Sequence, residues 1–405
     1  MGDGAEPGIL DLLRIREIRA AVVGTFVIML GFGILSPVLP KYARSFHVGY
    51  DAVGVLVAAF SLTRLVFDPF TGRLIDRFGE RAMVTTGALI VGASSALAAT
   101  APTYTWLVVF RAAGGAGSAV FFAALLSYLL RTVPPGRLGR VMGVYYGSFN
   151  VGTIAGQPFG GLFAKWFGLS SPLWIYAAAC FVAAAVFWRT IHNPERRDHE
   201  VRRHSLSSLP WNRPFVTVLV VNGAYMWMAG AVYSTLIPLF GNERVGLPLS
   251  AIGLGLAISS ATEFAALFPA GKATDRAGRK AVLVPAYAAL AVTTVLLGFA
   301  TTPVLFMVGL GVLGVASGYS SVPPAVMLSD VTPEESRGVA VGAFRFVGDL
   351  GFVLGPLVAG YAATLFGFGP AFALSAVPVL LAVALALSIR ETMPVLPRTG
   401  EAPGL

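Results

Sequence analysis

One ten-residue charged motif occurs twice in this 405-residue chain, and it constrains the fold more than any other feature. The first copy reads Gly72-Arg-Leu-Ile-Asp76-Arg77-Phe-Gly79-Glu80-Arg81 and the second Gly271-Lys-Ala-Thr-Asp275-Arg276-Ala-Gly278-Arg279-Lys280. The copies lie 199 residues apart, about half the chain, and each separates two long apolar segments. A polar Gly-x3-Asp-Arg-x-Gly turn, once per half of an apolar chain, argues for a duplicated helical bundle with two halves that move against each other.

Composition fixes the solvent. The chain is 56% hydrophobic and 12% charged, against about 25% charged residues in soluble domains. Since about 20 apolar residues cross the hydrocarbon core as a helix, twelve spans are predicted, at 20–40, 51–72, 82–101, 104–130, 138–163, 172–190, 215–240, 250–271, 281–300, 303–329, 337–363 and 369–389. The first is too long for a signal peptide and lacks a small-x-small cleavage site. The expected fold is thus all-α and integral to the membrane, with twelve transmembrane helices in two pseudo-symmetric six-helix bundles. Its expected parts are an N-tail (1–19), a first bundle (20–190), a central linker (191–213), a second bundle (214–390) and a C-tail (391–405).

Charge sets the orientation. Of 29 Lys and Arg, 22 fall in the tails and the even-numbered connections. Only Lys41, Arg44, Lys165 and Arg244 fall in the odd-numbered ones. The positive-inside rule places both tails and the linker in the cytoplasm. The net charge of +9 is accounted for by these loops and does not point to nucleic acid. The linker, with Glu195, Arg196, Arg197, Asp198, Arg202 and Arg203, reads as a hinge or as a regulatory binding segment. Cys180 is the one cysteine, so no intrachain disulfide or Cys-based metal site is expected. No cofactor is called for.

The duplication reaches beyond the turns. Adding 199 to Pro134, Gly139, Gly143, Gly152 and Gly156 gives Pro333, Gly338, Gly342, Gly351 and Gly355, so span 5 maps onto span 11. Glycines four apart let helices approach closely in lipid. Pro158 and Pro356, just after these glycines, and Pro37 and Pro40 in span 1, are candidates for bending a helix.

With these residues in view, the chain resembles the major facilitator superfamily over all twelve spans. Both charged motifs resemble that family's signature between helices 2 and 3 and between helices 8 and 9. Leu30-Gly31-x5-Pro37-Val38-Leu39-Pro40, Arg111-x2-Gly-Gly115-x-Gly117-x-Ala119 and the glycine-proline run of span 5 resemble its 12-helix drug:proton antiporter branch. Three departures stand out. Glu80 replaces a base, Gly114 replaces a common Gln, and Pro158 comes one place late. The resemblance implies that Asp76 latches onto the N-terminal end of helix 11 near Gly338, where a carboxylate is favourable by about 0.3–1 kcal/mol. It also implies that Arg77 and Arg81 tie that turn to nearby acids and that Arg111 faces a central cavity and aids proton transfer. Snorkelling to the surface is the other reading of Arg111.

Ionisable groups inside spans cost roughly 2.5–3.5 kcal/mol at the helix centre and mark function. Here they are Arg64, Asp68, Arg111, Glu263, Arg345 and Asp349, and no His lies in a span. A proton relay must therefore use carboxylates, with Glu263, Asp349 and Asp68 as candidates beside Arg111. Arg64/Asp68 and Arg345/Asp349 are each four apart, on one helix face. In the family fold helix 2 packs on helix 11 and helix 5 on helix 8, so these four residues are expected to form one cluster, either static or broken and reformed as the halves rock. Glu263 is expected near Asn150, as a proton site or as a structural acid.

Phe26, Met29, Tyr145, Phe149, Asn150, Asn222, Tyr225 and Trp227 are candidates to line a substrate cavity. Aromatic and Met side chains suit varied apolar ligands, though each could equally pack or face lipid. A sugar site would need more amides and acids than one Gln and Asn222 supply, and a phosphate or carboxylate exchanger a second cavity Arg. No nucleotide loop or nucleophile–base spacing points to an enzyme. The sequence thus predicts proton-coupled efflux of lipophilic, drug-like compounds from a bacterial cell, by a plasma-membrane protein that works as a monomer. A symporter or uniporter of a small metabolite is the alternative, and a transporter-like receptor a third.

Overall fold

A computed structural model describes residues 15–133, 135–193 and 206–393. Residues 1–14 of the expected N-tail, 194–205 of the linker and 394–405 of the C-tail lie outside the described residues. Twelve long helices follow in order: α1 (Arg16–Leu35), α2 (Tyr50–Phe78), α3 (Glu80–Ala99), α4 (Tyr104–Thr132), α5 (Pro135–Phe167), α6 (Ser171–Thr190), α7 (Arg213–Glu243), α8 (Leu249–Ala277), α9 (Arg279–Leu297), α10 (Pro303–Val331), α11 (Arg337–Phe366) and α12 (Phe368–Ser388). Each predicted span falls on one of them. Eleven are long and apolar enough to cross a membrane. The twelfth, α5, is 33 residues long and is diluted by the Gly, Tyr, Asn and Gln of its middle turns. It is held by packing on α1 and α8.

Packing repeats with the sequence. In the first half α1 packs on α5 and α6, α3 on α4 and α6, and α2 on α4. In the second half α7 packs on α11 and α12, α9 on α10 and α12, and α8 on α10. Raising each helix number by six turns one set into the other. The halves meet mainly along two seams, α2 against α11 and α5 against α8, which exchange under the same operation.

The two charged motifs are less loop-like than the sequence implies. Helices α2 and α8 run on through Asp76, Arg77, Asp275 and Arg276, and each turn is made by one glycine, Gly79 (φ 82°) or Gly278 (φ 102°). Only glycine takes that left-handed conformation freely, so the next helix starts at once. At α1, Pro37 and Pro40 do not bend a helix. The helix ends at Leu35, and Pro40 starts a separate short helix, Leu39–Arg44. In α7 the turns over Ala229–Leu236 are π-helical. Pro238 follows, which supplies no N–H to that ladder, and Ser234 and Thr235 hydroxyls bond the Ala229 and Gly230 carbonyls.

Candidate functional site

The glycines show which ends of the seams are shut. Towards the end opposite the basic loops, hereafter the far end, a Cβ on Gly54 would lie 2.1 Å from the Pro356 carbonyl oxygen and one on Gly253 2.1 Å from that of Gln157. These two contacts are mates at the 199 offset. Gly360 against Tyr50 and Gly161 against Leu249 and Ser250 form a second mated pair. At the basic end a Cβ on Gly72, Gly139, Gly143, Gly271, Gly338 or Gly342 would meet nothing within 4 Å. The bundle is therefore shut at the far end and parted at the basic end. Of the matched glycines, Gly152 and Gly156 pack on α1, and Gly351 and Gly355 on α7. A Cβ on any of the other four would meet open space in this conformation.

That parting explains two corrections. Asp76 is not seated on the α11 N-terminus. Its carboxylate is 72% exposed and lies 3.5 Å from Arg131, and open space adjoins Gly338. Nor does Arg81 reach an acid among the described residues. Its Nε donates to the Trp188 carbonyl, and its guanidinium stacks on that ring, while Arg77 lies over Phe78.

The Glu80 departure has a structural answer. Glu80 is buried and takes an ion pair from Arg131 at 3.2 Å. In the second half Arg279, also buried, pairs with Asp330 at 3.0 Å. Glu80 and Arg279, and Arg131 and Asp330, are mates at the 199 offset, so one helix–helix ion pair occurs in both halves with its signs exchanged. The following helix starts are tied alike. The Arg81 N–H donates to Asn193 after α6, and the Arg279 and Lys280 N–H groups donate to Glu391 after α12. Lys280 Nζ also reaches the Leu387 and Ile389 carbonyls, and Asp275 pairs with Arg279 at 3.4 Å.

Between the shut and parted ends lies the charge cluster. Arg64 on α2 donates to Asp349 on α11. Asp68, one turn on, lies beside Asp349 and within reach of the charges of Arg345 and Arg64. The structure thus brings all four residues together across one seam.

Glu263 does not meet Asn150. Asn150 donates to the Tyr146 carbonyl of its own helix, while Glu263 turns into the second half, between α7 and α10. Tyr225 Oη donates to its Oε1 at 2.7 Å and lies 3.3 Å from Ser317 Oγ. Ser317 lies beside Glu263, and Tyr233 with Ser259 extends the network. Among the described residues Glu263 makes no ion pair. Hydroxyls both donate and accept, so this shell can satisfy the acid with or without its proton.

Arg111 is 3% exposed, stacked on Phe60 at 4.6 Å near Tyr176 and Cys180. Its Nε and Nη1 have no hydrogen-bond partner among the described residues. It does not snorkel, and it is packed inside the first half rather than open to a cavity. Met29 and Tyr145 likewise belong to the first-half core, and Asn222 is buried, donating to the Phe344 carbonyl. Trp227 is half-buried with its indole on the Ser375 carbonyl. Phe26 and Phe149 are half-buried, Phe149 beside Phe122. Of the cavity candidates, Tyr225 touches a candidate proton site, Glu263. Sequence reading missed Arg131, Asp330, Asn193, Glu391 and Ser317, although the 199 offset alone pairs Arg131 with Asp330.

Two repeated six-helix bundles joined along two seams, with ionisable groups between and beside them, are the architecture of a membrane transporter. The model of the Major Facilitator Superfamily matches residues 21–261 and 243–404, and the chain belongs to that family, as a multi-pass membrane transporter rather than an enzyme. It is 29% identical to the class C tetracycline resistance protein of Escherichia coli over 83% of this chain and 87% of that one. It is 26% identical to multidrug resistance protein 1 of Bacillus subtilis, over 91% and 94%. Among solved structures, a bacterial homologue of the human lysosomal transporter Spinster, in an inward-facing and occupied conformation, superposes with a TM-score of 0.81 at 15% identity, covering 95% of this chain and 97% of that one. A nucleoside transporter, NupG, has a TM-score of 0.75 at 15% identity, over 92% and 98%. At such identities these likenesses speak to fold alone.

Proposed function

We propose that the protein exports lipophilic, drug-like compounds across the bacterial plasma membrane in exchange for protons, by alternating access. The observation that carries this reading is Glu263. It is a membrane-embedded acid with no basic partner among the described residues, held by hydroxyls that accommodate either protonation state. The positive-inside rule puts the parted, basic end and both tails in the cytoplasm, so cargo enters there. The inward-facing state of the Spinster homologue is consistent with this. Rocking along the α2/α11 and α5/α8 seams then closes the basic end and opens the far end, and a proton arriving from outside releases the cargo. The drug-resistance relatives favour this cargo class over a small metabolite.

The test is internal pH in inverted vesicles with an acidic lumen, during addition of a panel of lipophilic cations and antibiotics. The expected result is protein- and compound-dependent alkalinisation that is lost in Glu263→Gln. No proton movement with any compound, together with saturable uptake of a small metabolite by whole cells, would overturn export and leave the symporter or uniporter.

A further inference from the structure

The far end carries a polar contact that the glycine seams do not require. Arg44, at the end of the short helix Leu39–Arg44, lies 3.1 Å from Glu243 at the end of α7. Tyr50, the first residue of α2, donates its hydroxyl to the same carboxylate. The Arg44 guanidinium stacks over the Tyr50 ring at 4.7 Å and donates to the Val48 carbonyl. The carboxylate is thus held by two donors from the opposite half.

Arg44 and Glu243 are 199 residues apart. They are each other's mates under the duplication, as Tyr50 is of Leu249 and Gly54 of Gly253. A residue and its own mate can touch only close to the axis that relates the two halves. The same axis lies between the two seams, where any passage between the halves must open. The Arg44–Glu243 pair therefore sits at the mouth of that passage, at its shut end. Here a base faces an acid, so the two halves attract where two identical charged residues would repel.

We propose that Arg44, Glu243 and Tyr50 form a clasp that holds the far end shut and must part each time that end opens. This rests on the two halves moving, and on nothing about what they carry. Arg44 and Glu243 are partly exposed, at 32% and 28% of their side-chain surface, so the clasp is weak enough to open in every cycle.

The test is the distance between spin labels on Ser45→Cys and Arg244→Cys, themselves mates one residue beyond the clasp, in a Cys180→Ser background reconstituted in lipid without cargo or proton gradient. With the clasp intact, one short distance should dominate. Arg44→Gln and Glu243→Gln should each raise the longer-distance population about two- to five-fold, and Tyr50→Phe should raise it less. The exchanged variant Arg44→Glu with Glu243→Arg should restore the short distance. Single variants that leave the distribution unchanged, or an exchanged variant no better than the single ones, would overturn the clasp. Neither result bears on proton coupling, which the vesicle assay reads separately.

Discussion

At the scale of single residues, the sign-exchanged ion pairs are the sharpest feature. The first half puts the acid at the start of α3 and the base on α4, and the second half does the reverse with Arg279 and Asp330. What the fold requires there is attraction across a helix pair, and either arrangement provides it. Reversal at Glu80 alone, Glu80→Arg, sets two guanidinium groups together and leaves one of them buried. It should lower stability by about 1–3 kcal/mol, read as a drop in melting temperature in detergent. Adding Arg131→Asp copies the second half's arrangement and should recover most of that loss. A double variant as unstable as the single one would show that the two halves do not share this contact. For Glu263, Gln keeps the size and the hydrogen bonds but cannot exchange a proton. Glu263→Gln should therefore still bind cargo while its binding loses pH dependence, measured by fluorescence titration at two pH values. An unaltered pH dependence would move the proton to the Asp68–Asp349 pair.

At the scale of elements, the seams depend on backbone contacts that only glycine permits. A methyl group at Gly54 would collide with the Pro356 carbonyl, and one at Gly253 with that of Gln157. Gly54→Ala should force α2 away from α11 at the far end and lengthen the Ser45–Arg244 label distance. Gly253→Ala should do the same from the other seam. An unchanged distance in both would mean that the seams are not what shuts the far end. Gly79→Ala tests a different link. Its left-handed backbone costs a residue with a Cβ about 1–2 kcal/mol, and Asn193 occupies the space, so the Arg81 N–H bond to Asn193 should weaken and the melting temperature should fall. Much of this level was legible in the sequence. The twelve helices and the 199 offset follow from apolar length and repeated glycines, because lipid permits few other solutions. The conformation was not legible. The same glycines serve open and shut ends, so a sequence cannot say that Gly338 stands apart while Gly360 is in contact. Direction along a helix was hidden too. Glu263 could face Asn150 or Tyr225 from the same position on α8, and packing chose Tyr225. The Arg44–Glu243 contact was within reach of the offset, but charge counting treated Arg44 only as a loop base.

At the scale of the whole molecule, the duplication gives the protein two equivalent seams and one axis, and the polar groups break that symmetry. The charge cluster sits on the α2/α11 seam, while the hydroxyl-bound acid sits inside the second half alone. In the proposed cycle the two like halves rock against each other, and the unlike side chains are what could set its direction. Gly342 on α11 reports that motion directly, since it adjoins open space at the basic end now and would be covered once that end closed. The decisive measurement is the rate at which a membrane-impermeant maleimide, added on the basic-loop side, labels Gly342→Cys in a Cys180→Ser background, with and without an exported compound and an opposing proton gradient. Labelling should be rapid at rest and several-fold slower when both are present. A rate indifferent to compound and gradient, in protein shown to transport that compound, would contradict alternating access between these halves.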